Sequence, residues 1–158
     1  MSLLEVGDPA PEFAVADQSG QPLSLSSLRG RKVVLYFYPK DDTPGCTKEA
    51  CGIRDHFPAF GKLNAEVLGV SVDDAESHRK FIAKYRLPFT LLADTDKDIV
   101  QAYGVWGEKN RYGRKYMGVN RVTYVIDEHG NIAAVFPKVK PEGHAEELLA
   151  VLRGEGRP

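Results

Sequence analysis

Val33-Val-Leu-Tyr-Phe-Tyr38 runs directly into Pro39-Lys-Asp-Asp-Thr-Pro-Gly-Cys46, and the change of character between these two segments decides the fold. The first is apolar throughout without alternation, as a strand covered on both faces requires. The second opens on a proline that stiffens the exit from the strand, passes through turn-forming aspartates and ends where a polar helix begins. Cys46 therefore falls at a helix N-terminus. Unpaired backbone N–H groups and the positive end of the helix dipole favour a thiolate there.

Working outward, Val67–Val72 is a second continuous apolar run, and Asp73 and Asp74 are N-cap candidates for a helix over Ala75–Tyr85 with Phe81, Ile82 and Tyr85 on its buried stripe. Phe89–Ala93 is a short strand, followed by a short helix that ends at Tyr103. Val122–Ile126 and Ile132–Phe136 are strands joined by a turn in which Gly130 can take a positive φ. A final amphipathic helix, Gly143–Arg153, presents Ala145, Leu148, Leu149 and Leu152 on one face. Upstream, Phe13–Ala16 and Pro22–Ser24 flank Asp17-Gln-Ser-Gly20 as a hairpin. The basic, Gly- and Tyr-rich stretch Gly104–Gly118 has no clean period and reads as a loop. This order implies an α/β fold of the thioredoxin type, a central mixed β-sheet flanked by helices, with an N-terminal β-hairpin extension.

The 158 residues suit one domain spanning the chain, without repeats or low-complexity linkers. Twenty-one basic against twenty-two acidic residues leave a formal charge of −1, which gives no electrostatic case for nucleic acid or an anionic membrane. The N-terminus lacks the basic and apolar regions of a signal peptide, so a cytoplasmic location is expected. In a reducing compartment a close cysteine pair is catalytic, redox-active or metal-binding more often than structural. A structural zinc site wants four ligands, and His56, His78, His129 and His144 lack ligand spacing; each reads as a surface or cap residue, and no metal or cofactor is expected.

Cys46 and Cys51 are the only cysteines. On one regular helix their Cα atoms lie roughly 8–9 Å apart, with side chains about 140° apart around the axis. A disulfide needs Cα atoms within about 7 Å, so the pair can bond only if the helix unwinds locally. Gly52 directly after Cys51, and Pro58 one turn further, weaken the helix by local propensity. Around Cys46, the Thr43 hydroxyl can donate to or accept from a bound oxygen, and Pro44-Gly45 lets backbone approach closely. Activation calls for a fixed cation, and Arg121, at the start of a central strand, is the candidate; Arg29, Arg31 and Arg54 look like solvated surface.

These residues resemble a known family. Pro39-x-x-x-Thr43-x-x-Cys46 is similar to the active-site signature of the peroxiredoxins, and Cys46-Thr-Lys-Glu-Ala-Cys51 to their Q-type (bacterioferritin comigratory protein) branch. Gly7-Asp-Pro-Ala-Pro-Glu-Phe13, Tyr103-Gly-Val-Trp-Gly-Glu-Lys109 and Arg121-Val-Thr-Tyr-Val-Ile-Asp127 extend the resemblance over nearly the whole chain. It implies a thiol peroxidase that reduces hydrogen peroxide and small organic hydroperoxides with thioredoxin as electron donor. Carried over, it makes Cys46 the peroxidatic and Cys51 the resolving cysteine, joined in a redox disulfide. Thr43 and Arg121 then bind the peroxide, Pro39 shields the site, Gly45 and Cys46 offer backbone N–H groups, and Glu49 orients Arg121. A monomer is expected, with a weak homodimer as the alternative. The rival from another class is a non-enzymatic redox sensor, which needs the two thiols but not Thr43 and Arg121.

Overall fold

The computed structural model describes residues 2–155. Its centre is a five-stranded sheet of order β5-β4-β3-β8-β9, built from β3 (Lys32–Phe37), β4 (Ala65–Ser71), β5 (Thr90–Ala93), β8 (Val122–Ile126) and β9 (Ile132–Phe136). β3 is parallel to β4, and β4 to β5; β8 runs antiparallel to both β3 and β9. The apolar run from Val33 thus supplies the central strand. Its alternate residues serve two cores: Val34, Tyr36 and Tyr38 enter one, and Val33, Leu35 and Phe37 the other.

The first core is covered by α1 (Pro44–Asp55), α2 (Phe57–Lys62), α3 (Ala75–Tyr85) and α5 (His144–Leu152), through residues such as Ile53, Phe60, Phe81 and Leu148. The second is closed by the short α4 (Asp98–Ala102), a 3-10 turn at Leu25–Leu28, and the N-terminal arm. Helices do lie on both faces, but very unequally. The expected hairpin is present as β1 (Ala14–Ala16) and β2 (Pro22–Ser24), with a bridge from Asp17 to Leu92. Asp74, not Asp73, caps α3, its carboxylate accepting from Ser77 N–H at 2.8 Å. Pro58 starts a separate helix after α1 stops at Asp55. No helix among the described residues is long and apolar enough to cross a membrane.

Two expectations are corrected. Gly104–Gly118 is not a loop: β6 (Trp106–Arg111) and β7 (Arg114–Val119) form an antiparallel hairpin closed by Tyr112 and Gly113, both at positive φ. This is the two-residue turn geometry that matches strand twist, but the ribbon is largely solvated on both faces and so leaves no apolar alternation to read. The second correction concerns histidine: His78 and His144 are fully enclosed, at 0% and 1% exposure.

Gly69 on β4 admits the ring of Tyr36 from the neighbouring strand. A Cβ there would lie 2.7 Å from Leu91 Cδ2 and 2.8 Å from Tyr36 Cζ. Gly69→Ala is expected to destabilise the protein by about 1–3 kcal/mol through overpacking, read as a lower denaturant midpoint with an unchanged slope.

Candidate active site

The segment between β3 and α1 brings the candidate residues together. Thr43 is the N-cap residue of α1 in extended conformation, Pro44 and Gly45 follow, and Cys46 is the third residue of the helix. Thr43 C=O accepts from Thr47 N–H at 2.8 Å, so the N–H groups of Gly45 and Cys46 precede the first intrahelical bond. The Thr43 hydroxyl donates to Lys40 C=O at 2.8 Å, leaving its oxygen lone pairs available as acceptors. Pro39, half-buried, follows the enclosed Tyr38.

Arg121 arrives from the far side of the sequence by strand register. Phe37 on β3 faces Val122 on β8, so the next step along each strand sets Tyr38 beside Arg121. Arg121 Nη1 donates to Glu49 Oε1 at 2.7 Å and Nη2 to Cys46 Sγ at 3.4 Å. Gly45 is needed for this approach, since a Cβ there would come 3.0 Å from Arg121 Nη2. Burial works against the guanidinium charge, but the Cys46 sulfur and the Glu49 carboxylate outweigh it and raise the Arg121 pKa. Beside Arg121 opens a cleft of about 480 Å³, walled in part by Asn120, Val122, Pro137 and Val139.

Glu49 is completely enclosed and uses one oxygen only; Oε2 has no hydrogen-bond partner. Burial pushes its carboxyl up to about 7, against the opposing charge and hydrogen bond of Arg121. Tyr36 hydroxyl is likewise enclosed and unpartnered, its pKa pushed well up by burial and then by the charges of Glu49 and Cys46. Cys46 is buried; Cys51, on the same helix, is half-buried, and both thiols are free. Gly45, Cys46, Glu49 and Arg121 therefore converge, with Thr43 at the cap of the same helix, whereas Cys51 stands apart on an intact helix.

Sequence reading missed a clamp on the connecting segment. Asp41 accepts from Tyr38 hydroxyl at 2.6 Å and Ser77 hydroxyl at 2.8 Å, and its other partner is His78 Nδ1 at 2.7 Å. His78 Nε2 lies 2.9 Å from Leu92 C=O, so both ring nitrogens meet acceptors. A signal existed: His78 precedes Phe81, Ile82 and Tyr85 by three, four and seven positions, the spacing of one helix face. Asp42, at positive φ, binds Lys84 and Tyr85 hydroxyl, each at 2.8 Å. Among the described residues no cluster of three or more His, Cys, Asp or Glu could hold a metal ion.

Residues 6–135 match the AhpC/TSA family. The chain is 53% identical over 149 residues to the putative peroxiredoxin Bcp of Coxiella burnetii, covering 94% of this chain and 99% of that one. It is 42% identical to peroxiredoxin Bcp of Escherichia coli, covering 97% and 98%. A cysteine-to-serine mutant of Xylella fastidiosa PrxQ superposes with a TM-score of 0.92 at 35% identity, over 98% of both chains. Xanthomonas campestris bacterioferritin comigratory protein, a structure described for its alkyl peroxide reduction activity, superposes with a TM-score of 0.88 at 36% identity, again over 98% of both.

Because Glu49 binds its proton more tightly in the fold than its ordinary value of 4.5 allows in the unfolded chain, its burial is harmless below that pH and becomes a penalty as pH rises toward 7. The penalty reaches roughly 3 kcal/mol above neutrality. Denaturant unfolding at acid and alkaline pH should show wild type losing about that much more stability with rising pH than Glu49→Gln.

Proposed function

Because the chain belongs to the AhpC/TSA family and is a thiol peroxidase of the Bcp kind, we propose that Cys46 is the sulfur that attacks the peroxide and that Cys51 resolves the product. The observation that carries this reading is the 3.4 Å contact between Arg121 Nη2 and Cys46 Sγ at the first turn of α1. A cation and oriented N–H groups beside a buried sulfur stabilise its anion and face the oxygen on which charge develops.

The chemistry follows in order. Cys46 thiolate attacks one peroxide oxygen; the S–O bond forms, the O–O bond breaks, and the departing oxygen leaves with the electron pair and takes up a proton. The Gly45 and Cys46 N–H groups and Arg121 face that oxygen, the Thr43 hydroxyl oxygen accepts from the peroxide O–H, Glu49 orients Arg121 and Pro39 shields the mouth. The sulfenic acid on Cys46 then condenses with the Cys51 thiol, expelling water and forming the disulfide. The half-buried Cys51 reaches Cys46 only once the turns between them unwind. A dithiol partner of the thioredoxin type restores both thiols by exchange. Hydrogen peroxide and small organic hydroperoxides are the substrates, the latter with their organic portion in the cleft beside Arg121. The chain acts in the cytoplasm, as one domain and as a monomer, a weak homodimer being the alternative. The reading as a non-enzymatic sensor is dropped, since peroxidase relatives match nearly the full chain and a sensor has no use for a guanidinium on the sulfur.

A peroxide-consumption assay with thioredoxin and its reductase, run beside intact mass, tests the assignment. Cys46→Ser should abolish turnover; wild-type turnover in that variant would remove Cys46 from the mechanism. Cys51→Ser should allow one rapid oxidation without recycling. The oxidised wild-type protein should be lighter by two hydrogens and remain one chain. Arg121→Lys should slow Cys46 oxidation by about a hundredfold or more, because an ammonium cannot bond Glu49 and the sulfur at once.

A further inference from the structure

Glu49 Oε2 is a fully enclosed carboxylate oxygen without a hydrogen bond, and His144 Nε2 lies 4.0 Å from it. His144 opens α5 and is itself enclosed, its ring set edge-on against Phe136 of β9 at a centroid distance of 5.2 Å. Nδ1 lies 3.3 Å from Glu147 Oε1 on the same helix, and Nε2 lies 2.8 Å from Thr123 hydroxyl on β8. A carboxylate opposite Nδ1 fixes the proton on that nitrogen. Nε2 then presents its lone pair inward, accepting from Thr123 O–H and facing Glu49.

We propose that His144 is a positioning residue for the peroxidase reaction: the negative pole of its Nε2, 4.0 Å from Glu49 Oε2, disfavours a charge on that oxygen, and so sets the charge with which Glu49 grips Arg121 beside Cys46. The inference rests on the reading of Cys46, Glu49 and Arg121 given above. An ionised Glu49 holds Arg121 by a charge-assisted bond, whereas a protonated Glu49 leaves a weaker one. Burial lowers the His144 pKa against the opposing hydrogen bond and charge of Glu147, which favours the neutral imidazole. The groups around this pair are Glu147 on α5, Cys46 beyond Glu49 on α1, Thr123 and Arg121 from β8 and its approach, and Tyr36 hydroxyl from β3, whose pKa feels the Glu49 charge. The His56–Glu146 pair lies further out at the surface.

The test is the single-turnover rate of Cys46 oxidation by hydrogen peroxide between about pH 5 and 9, where the rate is expected to fall as Glu49 takes up its proton. Glu49→Gln should remove the Glu49 part of that limb and leave only the fall set by protonation of the Cys46 thiolate itself. His144→Leu, which removes the lone pair, and His144→Gln, which can turn an N–H toward Oε2, should both move its midpoint down by about half a pH unit or more, roughly threefold in proton affinity. Either variant that folds decides the matter. A midpoint that stays in place or moves up, with only the rate or the stability changed, makes His144 a packing residue and overturns the inference alone. A limb left unchanged by Glu49→Gln removes Glu49 from the reading and takes the inference with it.

Discussion

Arg121 is held between the Glu49 carboxyl and the Cys46 sulfur, and the site depends on its staying there. Its guanidinium is 18% exposed, with one nitrogen on Glu49 and another on Cys46. Its backbone is fixed as firmly, since β8 sits in register against β3 and Arg121 C=O accepts from Val139 N–H at 3.2 Å. A planar fork that donates in two directions suits this task, and the missing side chain at Gly45 gives it room. Residues far apart in sequence become neighbours because one antiparallel pair of strands fixes their register.

Opposite Arg121, the connection from β3 to α1 is anchored more strongly than the helix it leads into. Asp41 is buried and gathers bonds from β3 and α3, and its backbone N–H donates to Asp73 at 2.9 Å. A paired, enclosed carboxylate and imidazole break only at large cost, since either alone would be left buried without a partner. Beyond the buried Glu49–Arg121 bond and the Arg54 bond to Tyr85 C=O, α1 is held at its surface by weaker contacts: Lys48–Glu142, and the His56–Glu146 pair at its C-cap, are exposed ion pairs each worth less than about 1 kcal/mol. In the proposed opening, the end of the connecting segment that carries Thr43 is the part expected to stay in place while the helix beyond it yields.

The sequence makes legible whatever is written in local pattern. The central strand, the cap at Asp74, the strand at Arg121 and the helix start at Cys46 each follow from apolar runs, capping residues or prolines near the point they mark. What stayed hidden depends on partners distant in sequence. Asp41 reads as a turn residue until α3 brings His78 against it, and His144 reads as a surface residue although it stands four positions before the buried Leu148. The β6–β7 hairpin escaped for a different reason: its order comes from a turn with two positive φ angles and not from burial, and Tyr112 at that turn is 96% exposed. The pairing of Glu49 with Arg121 was readable only through the family resemblance, because nothing in the spacing says which cation a helix glutamate will meet.

Glu49 lies between the two cysteines on α1, so the same residue that steadies the site also bears on its opening. In the folded helix its carboxylate sits out of water with one oxygen unpaired, a state that burial disfavours above neutral pH. Unwinding of the turns from Cys46 to Cys51 returns that oxygen to water and recovers the penalty, while Gly52 removes about 1 kcal/mol of helix preference next to Cys51. In the proposed reaction, loss of the thiolate charge when Cys46 becomes a sulfenic acid takes away one of the two partners that hold Arg121. On that mechanism the contact that activates the sulfur is weakened by the reaction itself, and the burial penalty left on Glu49 favours the opening that lets Cys51 approach.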